Sequence, residues 1–406
     1  MQGTEIAATG DLAAEGFGGL ISRVEELHAA IAGRAFGNAG PAGTPARAAH
    51  DAISTGVYAV VRTAGAFASR AAGKLLAARA PEDAPAFADS ARGGLLVGTL
   101  NGFLGDRLAE REHGLSVGMT VRAKGRQVTL DGEGLAAAYQ AASPRIAVFL
   151  HGLCETENAW RLGTLREDGS RRPTYGERLQ SDLGLTPVLI RYNTGRRISD
   201  NDLDLDEVLE TLVEGWPVEV ESIALIGHSM GALVARSACH TGAAGGRQWT
   251  RHVTHTISLG APHLGAPLEQ TVNMASRVLR RIPEGRPVSS FLDLRSNGIR
   301  DLRHGALVED DWRDRELDDV YDRCTDVPLL DGARHCAISA TLHRDPKHLS
   351  SRLLGDLLVR HESATGAGRT RRIAFEPGYT RHVGGINHFR LLNDPVVYEQ
   401  IRDWMS

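Results

Sequence analysis

The sequence predicts an α/β protein with a mostly parallel sheet flanked by helices, preceded by a helical N-terminal extension. From residue 144 onward, apolar runs typical of buried strands alternate with helical patterns, as in parallel sheets with right-handed crossovers. The first 115 or so residues are instead rich in alanine and glycine and almost free of strand patterns. We therefore predict a helical extension over residues 1–115 and an α/β domain over 116–406.

Two helices are predicted in the N-terminal extension, over residues 12–32 and 57–80, joined by a Gly/Pro-containing linker at 37–45. The second helix combines an apolar stripe at helical spacing with several arginines and a lysine. Such a basic amphipathic helix can lie on a membrane surface. We favour the alternative that it docks on the α/β domain or on a second subunit, and the oligomeric state stays open.

The strands of the α/β domain begin with a predicted hairpin over residues 119–130, which opens the sheet in antiparallel fashion. The next strands are predicted at 145–150, 186–192, 221–227, 253–259 and 336–342, with another near 371–375. No clear strand lies between residues 266 and 333. Because a structureless loop of that length is unusual in a compact domain, we predict a cap or lid inserted there.

The most specific motif is Gly227-His228-Ser229-Met230-Gly231, which stands between an apolar strand pattern and a helical pattern. A serine on such a sharp strand-to-helix turn has a strained backbone that only small neighbours permit, which explains the two glycines. On such a turn the hydroxyl is expected to be exposed above the sheet edge. Ser229 is therefore the candidate nucleophile.

A second turn is predicted where the strand 145–150 runs into His151-Gly152-Leu153. A nucleophilic serine that attacks a carbonyl needs N–H donors for the oxyanion, usually one after the nucleophile and one from an earlier strand-to-helix loop. The corresponding residues are Met230 and Leu153. A plain turn after a strand is the alternative interpretation of His151-Gly152.

The acid and the base of a catalytic triad are expected downstream of the serine, in that order. We assign Asp356, in a loop after the strand 336–342, as the acid and His388, in a glycine-containing loop before the last helix, as the base. Other histidines and aspartates share this third of the chain. The alternatives are His335, His343, His348, His361 and His382 for the base, and Asp331, Asp345 and Asp394 for the acid. Asp394 precedes a proline and is predicted to cap the last helix.

Taken in order, the motifs resemble the lipase-like branch of the α/β-hydrolases, and within it the GPI inositol deacylases and bacterial triacylglycerol lipases. The resemblance covers about residues 144–406 and rests on the segments 148–152, 227–231, 259–267, 355–364 and 387–392. It implies an α/β-hydrolase fold, the triad Ser229, Asp356 and His388, and oxyanion donors at Leu153 and Met230. Relatives often carry glycine after the acid, whereas Leu357 stands there in this sequence.

Composition and residue spacing bear on which binding partners and which cellular location are expected. The net charge of −4 gives no electrostatic reason to expect nucleic acid. The four cysteines lack a disulfide-framework spacing, and no metal-ligand spacing occurs, so neither a metal nor a cofactor is expected. The first twenty residues lack the basic and apolar regions of a signal peptide, and no run reaches the length of a membrane span. We expect a cytoplasmic protein with possible peripheral membrane contact.

The resemblance implies an enzyme that cleaves carboxylic esters, in particular of acyl lipids, through an acyl-enzyme. The substrate would be a small-molecule or lipid ester. Two other functions use the same features. An acyltransferase would resolve the same acyl-enzyme with an alcohol or amine. A catalytically inactive hydrolase-fold protein would use its N-terminal helices as an interaction surface.

Overall fold

The computed structural model describes residues 2–38, 44–78, 86–166, 168–266, 295–314, 324–368 and 371–406. The described chain divides into two compact units. The smaller unit contains the helices α1 (Gly3–Asn38) and α2 (Thr44–Ala77), and the larger contains the helix α3 (Ala91–Glu110) and the whole sheet. The domain boundary at residue 115 stays a prediction. The helix α3, which lies before that boundary in the sequence, belongs to the larger unit.

In the smaller unit, α1 and α2 pack against each other and are longer than the sequence predicts. A close approach of the two backbones explains a pair of glycines, since a Cβ on Gly10 would lie 2.7 Å from Gly73 Cα. Residues 39–43 of the predicted linker and 79–80 of the predicted second helix lie outside the described residues. Docking or membrane contact by α2 stays a prediction.

The larger unit is built on an eight-stranded sheet, counted over the described residues, with the order β2-β1-β4-β3-β5-β6-β7-β8. Its strands are β1 (Thr120–Ala123), β2 (Arg126–Gln127), β3 (Arg145–Leu150), β4 (Thr186–Arg191), β5 (Ser222–His228), β6 (Val253–Leu259), β7 (Arg334–Thr341) and β8 (Thr380–Gly384). β1 pairs antiparallel with β2 and β4, and every other pair is parallel. The predicted α/β class is confirmed.

Helices cover both faces of this sheet. They are α4 (Gly132–Ala138), α5 (Tyr175–Leu183), α6 (Ile198–Gly215), α7 (Met230–Ala244), α8 (Asn297–Asp301), α9 (Leu349–Leu354), α10 (His361–Ala364) and α11 (Pro395–Met405). Successive residues of β3 enter two different cores. Val148 belongs to the core that includes residues of α6 and α7, and Phe149 to the core that includes residues of α5 and α11. Burial on both faces explains the continuous apolar run of β3.

The last strand was predicted incorrectly near residues 371–375, and the structure has it at 380–384. In the predicted segment, Ile373 N–H donates to the Gly366 carbonyl, within a loop, instead of to β7. β8 is an edge strand in which Val383 is the single buried residue. Because one face and one edge are open, its residues are mostly polar and show no apolar pattern.

The predicted cap falls largely outside the described residues, which omit 267–294 and 315–323. Its described part contains α8. Ser296, just before α8, donates to the Gly102 carbonyl of α3 at 2.6 Å. None of the described helices has both the length and the apolar composition of a membrane span.

Candidate active site

Ser229 lies at the turn between β5 and α7, with φ 51° and ψ −120°. This is a left-handed conformation that L-residues rarely adopt. The flanking glycines are required by close packing, because a Cβ on Gly227 would lie 2.3 Å from Ala232 N and one on Gly231 would lie 2.5 Å from Leu150 O. The predicted strand–turn–helix elbow is therefore present, and strain of this kind is typical of functional sites.

Asp356 and His388 lie in contact. His388 Nδ1 is 2.7 Å from Asp356 Oδ2, and the two residues are 2% and 1% exposed, respectively. The other carboxylate oxygen accepts from the N–H groups of Leu358 and Val359 at 3.0 and 2.8 Å. A main-chain bond from His388 N to the Asp356 carbonyl, at 3.0 Å, also joins the two loops.

This contact decides the tautomer of His388. A carboxylate oxygen accepts hydrogen bonds, so Nδ1 donates to Asp356, and in a neutral imidazole with its proton on Nδ1 the Nε2 atom keeps its lone pair. Nε2 is buried and has no hydrogen-bond partner among the described residues. The imidazole can therefore accept a proton on this nitrogen, as a general base does.

The elbow lies beside His388. The rings of His228 and His388 have their centroids 4.6 Å apart, and His228 Nε2 is 3.3 Å from the His388 carbonyl oxygen. Gly260, which follows β6, leaves room for the base, because a Cβ there would lie 3.1 Å from His388 Cε1. The carboxyl ends of β5, β7 and β8 thus bring the three predicted triad residues to one edge of the sheet.

Five of the alternative acids and bases have other partners. Asp394 caps α11 by accepting from Val396 N–H at 3.0 Å, as predicted, and Asp345 accepts from Lys347 N–H at 2.9 Å. Three of the alternative histidines bond to hydroxyl groups. These pairs are His335 with Thr256 at 2.6 Å, His361 with Ser339 at 2.8 Å and His382 with Thr341 at 2.7 Å.

The turn after β3 carries Leu153, the predicted oxyanion donor. A Cβ on Gly152 would lie 3.1 Å from Ser229 Cβ, so the turn adjoins the elbow. The N–H groups of Leu153 and Met230 have no hydrogen-bond partner within the described part of the chain. Two free N–H donors beside a serine are what an oxyanion requires.

The direction of the Leu153 N–H is fixed by the carbonyl of Gly152. That carbonyl lies 3.0 Å from His151 Nδ1 and accepts from Glu155 N–H at 3.2 Å. Carbonyl and N–H of one trans peptide point in opposite directions, so fixing the carbonyl also fixes the N–H. Burial lowers the pKa of His151 and keeps it neutral, with Nδ1–H donating while Nε2 accepts from Tyr192 N–H at 3.3 Å.

Sequence reasoning missed Glu155, which follows Gly152 by three residues. Its carboxylate accepts from Gly152 N–H at 2.7 Å and lies 3.1 Å from His228 Nδ1. The spacing resembles that of a capping box, in which a carboxylate reaches back to an N–H three residues earlier. That spacing was the available signal, and the strand–turn context gave no reason to look for it.

A surface cleft of about 1010 Å³ adjoins the loop of His388. Asn387 and Phe389, on either side of His388, line it. The rest of the lining is partly apolar and partly charged. It includes Leu162, Leu165, Arg166, Arg172 and Arg390.

Residues 195–325 match the family model described as a PGAP1-like alpha/beta domain. This is a GPI inositol-deacylase family, so the match confirms the resemblance that the motifs predict. Among curated proteins, none matches the sequence.

Several solved structures resemble this fold at low identity. Bacillus licheniformis lipase BlEst2 in mature form has 14% identity and a TM-score of 0.40, with 66% of this chain and 95% of that chain covered. A lipase-esterase related protein from Clostridium acetobutylicum has 14% identity and a TM-score of 0.33, with 64% and 94% covered. The hyperthermophilic esterase from Pyrobaculum calidifontis has 15% identity and a TM-score of 0.34, with 64% and 72% covered.

Proposed function

We propose that this chain, with its PGAP1-like segment at 195–325, is a serine hydrolase that cleaves carboxylic esters. Ser229 Oγ attacks the ester carbonyl carbon while His388 Nε2 takes its proton. The N–H groups of Leu153 and Met230 bind the oxyanion. The ester C–O bond then breaks, and the alcohol leaves with the proton from His388.

The second half of the reaction uses the same groups. Water attacks the acyl-enzyme, His388 takes the water proton, and the serine leaves protonated as the carboxylic acid is released. Asp356 holds His388 in the required tautomer and stabilises the imidazolium that forms in each half. The residues named in these steps supply every proton transfer.

The observation that carries the proposal is the buried, unpartnered Nε2 of His388, whose Nδ1 is held by Asp356 at 2.7 Å. A buried polar atom without a partner costs free energy, so it is expected where a reacting group takes its place. This geometry supports a general base beside the strained serine.

An acyl ester of a lipid is the substrate class that we propose. Support comes from the family match, because an inositol deacylase removes an acyl group from an ester. The cleft beside His388, with Leu162, Leu165 and Phe389 in its lining, supports an apolar substrate portion. Product analysis with added alcohols separates hydrolysis from acyl transfer.

The test is covalent labelling with a fluorophosphonate probe, together with turnover of short p-nitrophenyl esters. Ser229→Ala is expected to lose labelling and to lose on the order of 10⁶ in kcat, because the nucleophile is removed. Ser339→Ala is the matched control, since Ser339 Oγ lies 2.8 Å from His361 Nδ1 in a second serine–histidine pair. It should keep labelling and turnover. Normal activity in Ser229→Ala would reject the proposed nucleophile.

A further inference from the structure

Glu155 connects the turn that carries Leu153 to the elbow that carries Ser229. Its main-chain N–H donates to the Gly152 carbonyl at 3.2 Å, and its carboxylate Oε2 accepts from Gly152 N–H at 2.7 Å. The same oxygen lies 3.1 Å from His228 Nδ1. The main chain of Glu155 therefore holds the Gly152 carbonyl, and its carboxylate holds both the Gly152 N–H and the residue before the serine.

The surroundings of His228 determine its protonation. Nδ1 faces the Glu155 carboxylate and Nε2 faces the His388 carbonyl oxygen at 3.3 Å. Both of these groups only accept hydrogen bonds, so both ring nitrogens must carry a hydrogen. His228, 1% exposed, is then an imidazolium and forms a buried ion pair with Glu155.

The neighbouring charges favour this pair. Burial by itself would lower the pKa of His228, but the Glu155 carboxylate, the His388 carbonyl and the Asp356 charge together raise it above its ordinary 6.5. Burial would likewise raise the pKa of Glu155, but His228 and the Gly152 N–H lower it below its ordinary value. Two further titratable groups interact with the pair, the Cys154 thiol and the Tyr192 hydroxyl, whose pKa values burial and the Glu155 charge raise.

We propose that the Glu155–His228 ion pair is a positioning device for two parts of the active site at once. Through Gly152 it aims the Leu153 N–H at the oxyanion, and through the His388 carbonyl it holds the loop of the base. The inference rests on the proposed function, because aiming these groups matters only if Ser229 acts on a carbonyl. Neither residue touches the substrate, and both act through Leu153 and His388.

The ion pair makes the site sensitive to alkaline pH. A histidine whose pKa is raised in the folded protein keeps its contribution at low pH and loses it as pH rises through that raised pKa. Loss of the His228 proton removes one of its two hydrogen bonds. Turnover should then decline on the alkaline side.

Glu155→Gln tests the pair with little change in shape. The amide oxygen still accepts from Gly152 N–H, but the charge that raises the pKa of His228 is gone. We expect kcat to fall about 10- to 100-fold, less than the 10²–10³ for outright removal of an oxyanion donor. KM should change by less than about twofold, and the alkaline limb of kcat should move to lower pH, because the charge that raises the pKa of His228 is lost.

Glu157→Gln is the matched control, because Glu157 is a second buried acid two residues along the chain. Its ion-pair partners are Arg191, at 2.6 Å, and Arg122, at 3.5 Å. This variant should lose stability but keep the alkaline limb of the wild type. If Glu155 had a purely structural role, both variants would lose stability and keep the alkaline limb of the wild type. That result would overturn the proposal.

The charge of His228 is measured independently of activity by nitrogen-15 spectra of labelled histidine side chains, with His228→Gln used for assignment. We expect both nitrogens of His228 to be protonated at pH 7 in the wild type and one of them to lose its proton in Glu155→Gln. A neutral His228 in the wild type would overturn the proposal even if the protein hydrolyses esters. Retained activity in Ser229→Ala would instead reject the proposed function, whatever the spectra show.

Discussion

His388 is tied to Asp356 twice, by its ring Nδ1 at 2.7 Å from the carboxylate and by its main-chain N–H at 3.0 Å from the carbonyl. The second bond holds the loops together even when the carboxylate is altered. A change at the side chain of Asp356 should therefore affect the imidazole more than the fold.

Asp356→Asn is expected to lower kcat by roughly 10⁴, because an amide favours the wrong tautomer of the base. Asp345→Asn and Asp394→Asn are the controls and should keep most activity. Asparagine caps helices about as well as aspartate, so the change at Asp394 should also be tolerated in α11. Kinetics on a p-nitrophenyl ester give the ranking, and a larger loss in either control would move the acid away from Asp356.

Leu357 occupies a conformation that suits glycine, with φ 96°. It lets the next two N–H groups turn back to Asp356 Oδ1. Replacing Leu357 by glycine should relieve backbone strain on the order of 1–3 kcal/mol. This gain should exceed the roughly 0.4–1 kcal/mol that is lost because glycine increases the conformational entropy of the unfolded chain. The residue is 55% exposed, so truncation loses little burial.

Leu357→Gly should therefore raise the free energy of unfolding by about 1 kcal/mol, as measured by urea denaturation. Leu357→Ala keeps the Cβ and should give no such gain. Equal stabilities for the two variants would show that the backbone at this position stores no strain.

Gly102 of α3 is packed against the turn that carries Leu153. A Cβ there would lie 2.3 Å from Cys154 Sγ and 3.0 Å from Cys154 Cα. Gly102→Ala should cost about 1–3 kcal/mol of stability through overpacking, and it should lower kcat by displacing the turn. Thr99→Ala, at an exposed position of the same helix, should do neither. Thermal denaturation and ester kinetics distinguish the two variants. Unchanged stability and kcat in Gly102→Ala would mean that α3 does not support the turn.

Asp202, buried between α6 and α7, offers a pH test of stability. Burial raises the pKa of its carboxyl to about 7. Ser237 has one hydroxyl proton but two acceptors in reach, Asp202 and the Leu307 carbonyl. A protonated Asp202 resolves this, because it donates to Ser237 while Ser237 donates to Leu307.

Between pH 4 and 7 the folded protein then keeps a proton that the unfolded chain has lost. The free energy of unfolding should therefore fall by up to about 1.4 kcal/mol per pH unit as the pH rises from 4 to 7. Asp202→Asn cannot titrate and should flatten this slope, as measured by urea denaturation at several pH values. An unchanged slope would show that Asp202 is ionised in the folded protein.

Local patterns in the sequence determined the strands β3 to β7, the elbow at Ser229 and the turn at Gly152. Each of these depends on neighbouring residues, because a buried parallel strand is a continuous apolar run and a strained turn needs adjacent glycines. The same reasoning failed at β8, where an edge strand lacks that run, and it did not predict the helix α3.

Only the tertiary structure decided which side chains meet. Asp356 and His388 are 32 positions apart, and Glu155 and His228 are 73 apart. Several aspartates and histidines had the right chemistry for the acid and the base, but local sequence does not specify their distances. Those distances follow from the order of β3, β5, β7 and β8 in the sheet, which sets the carboxyl ends of distant strands side by side.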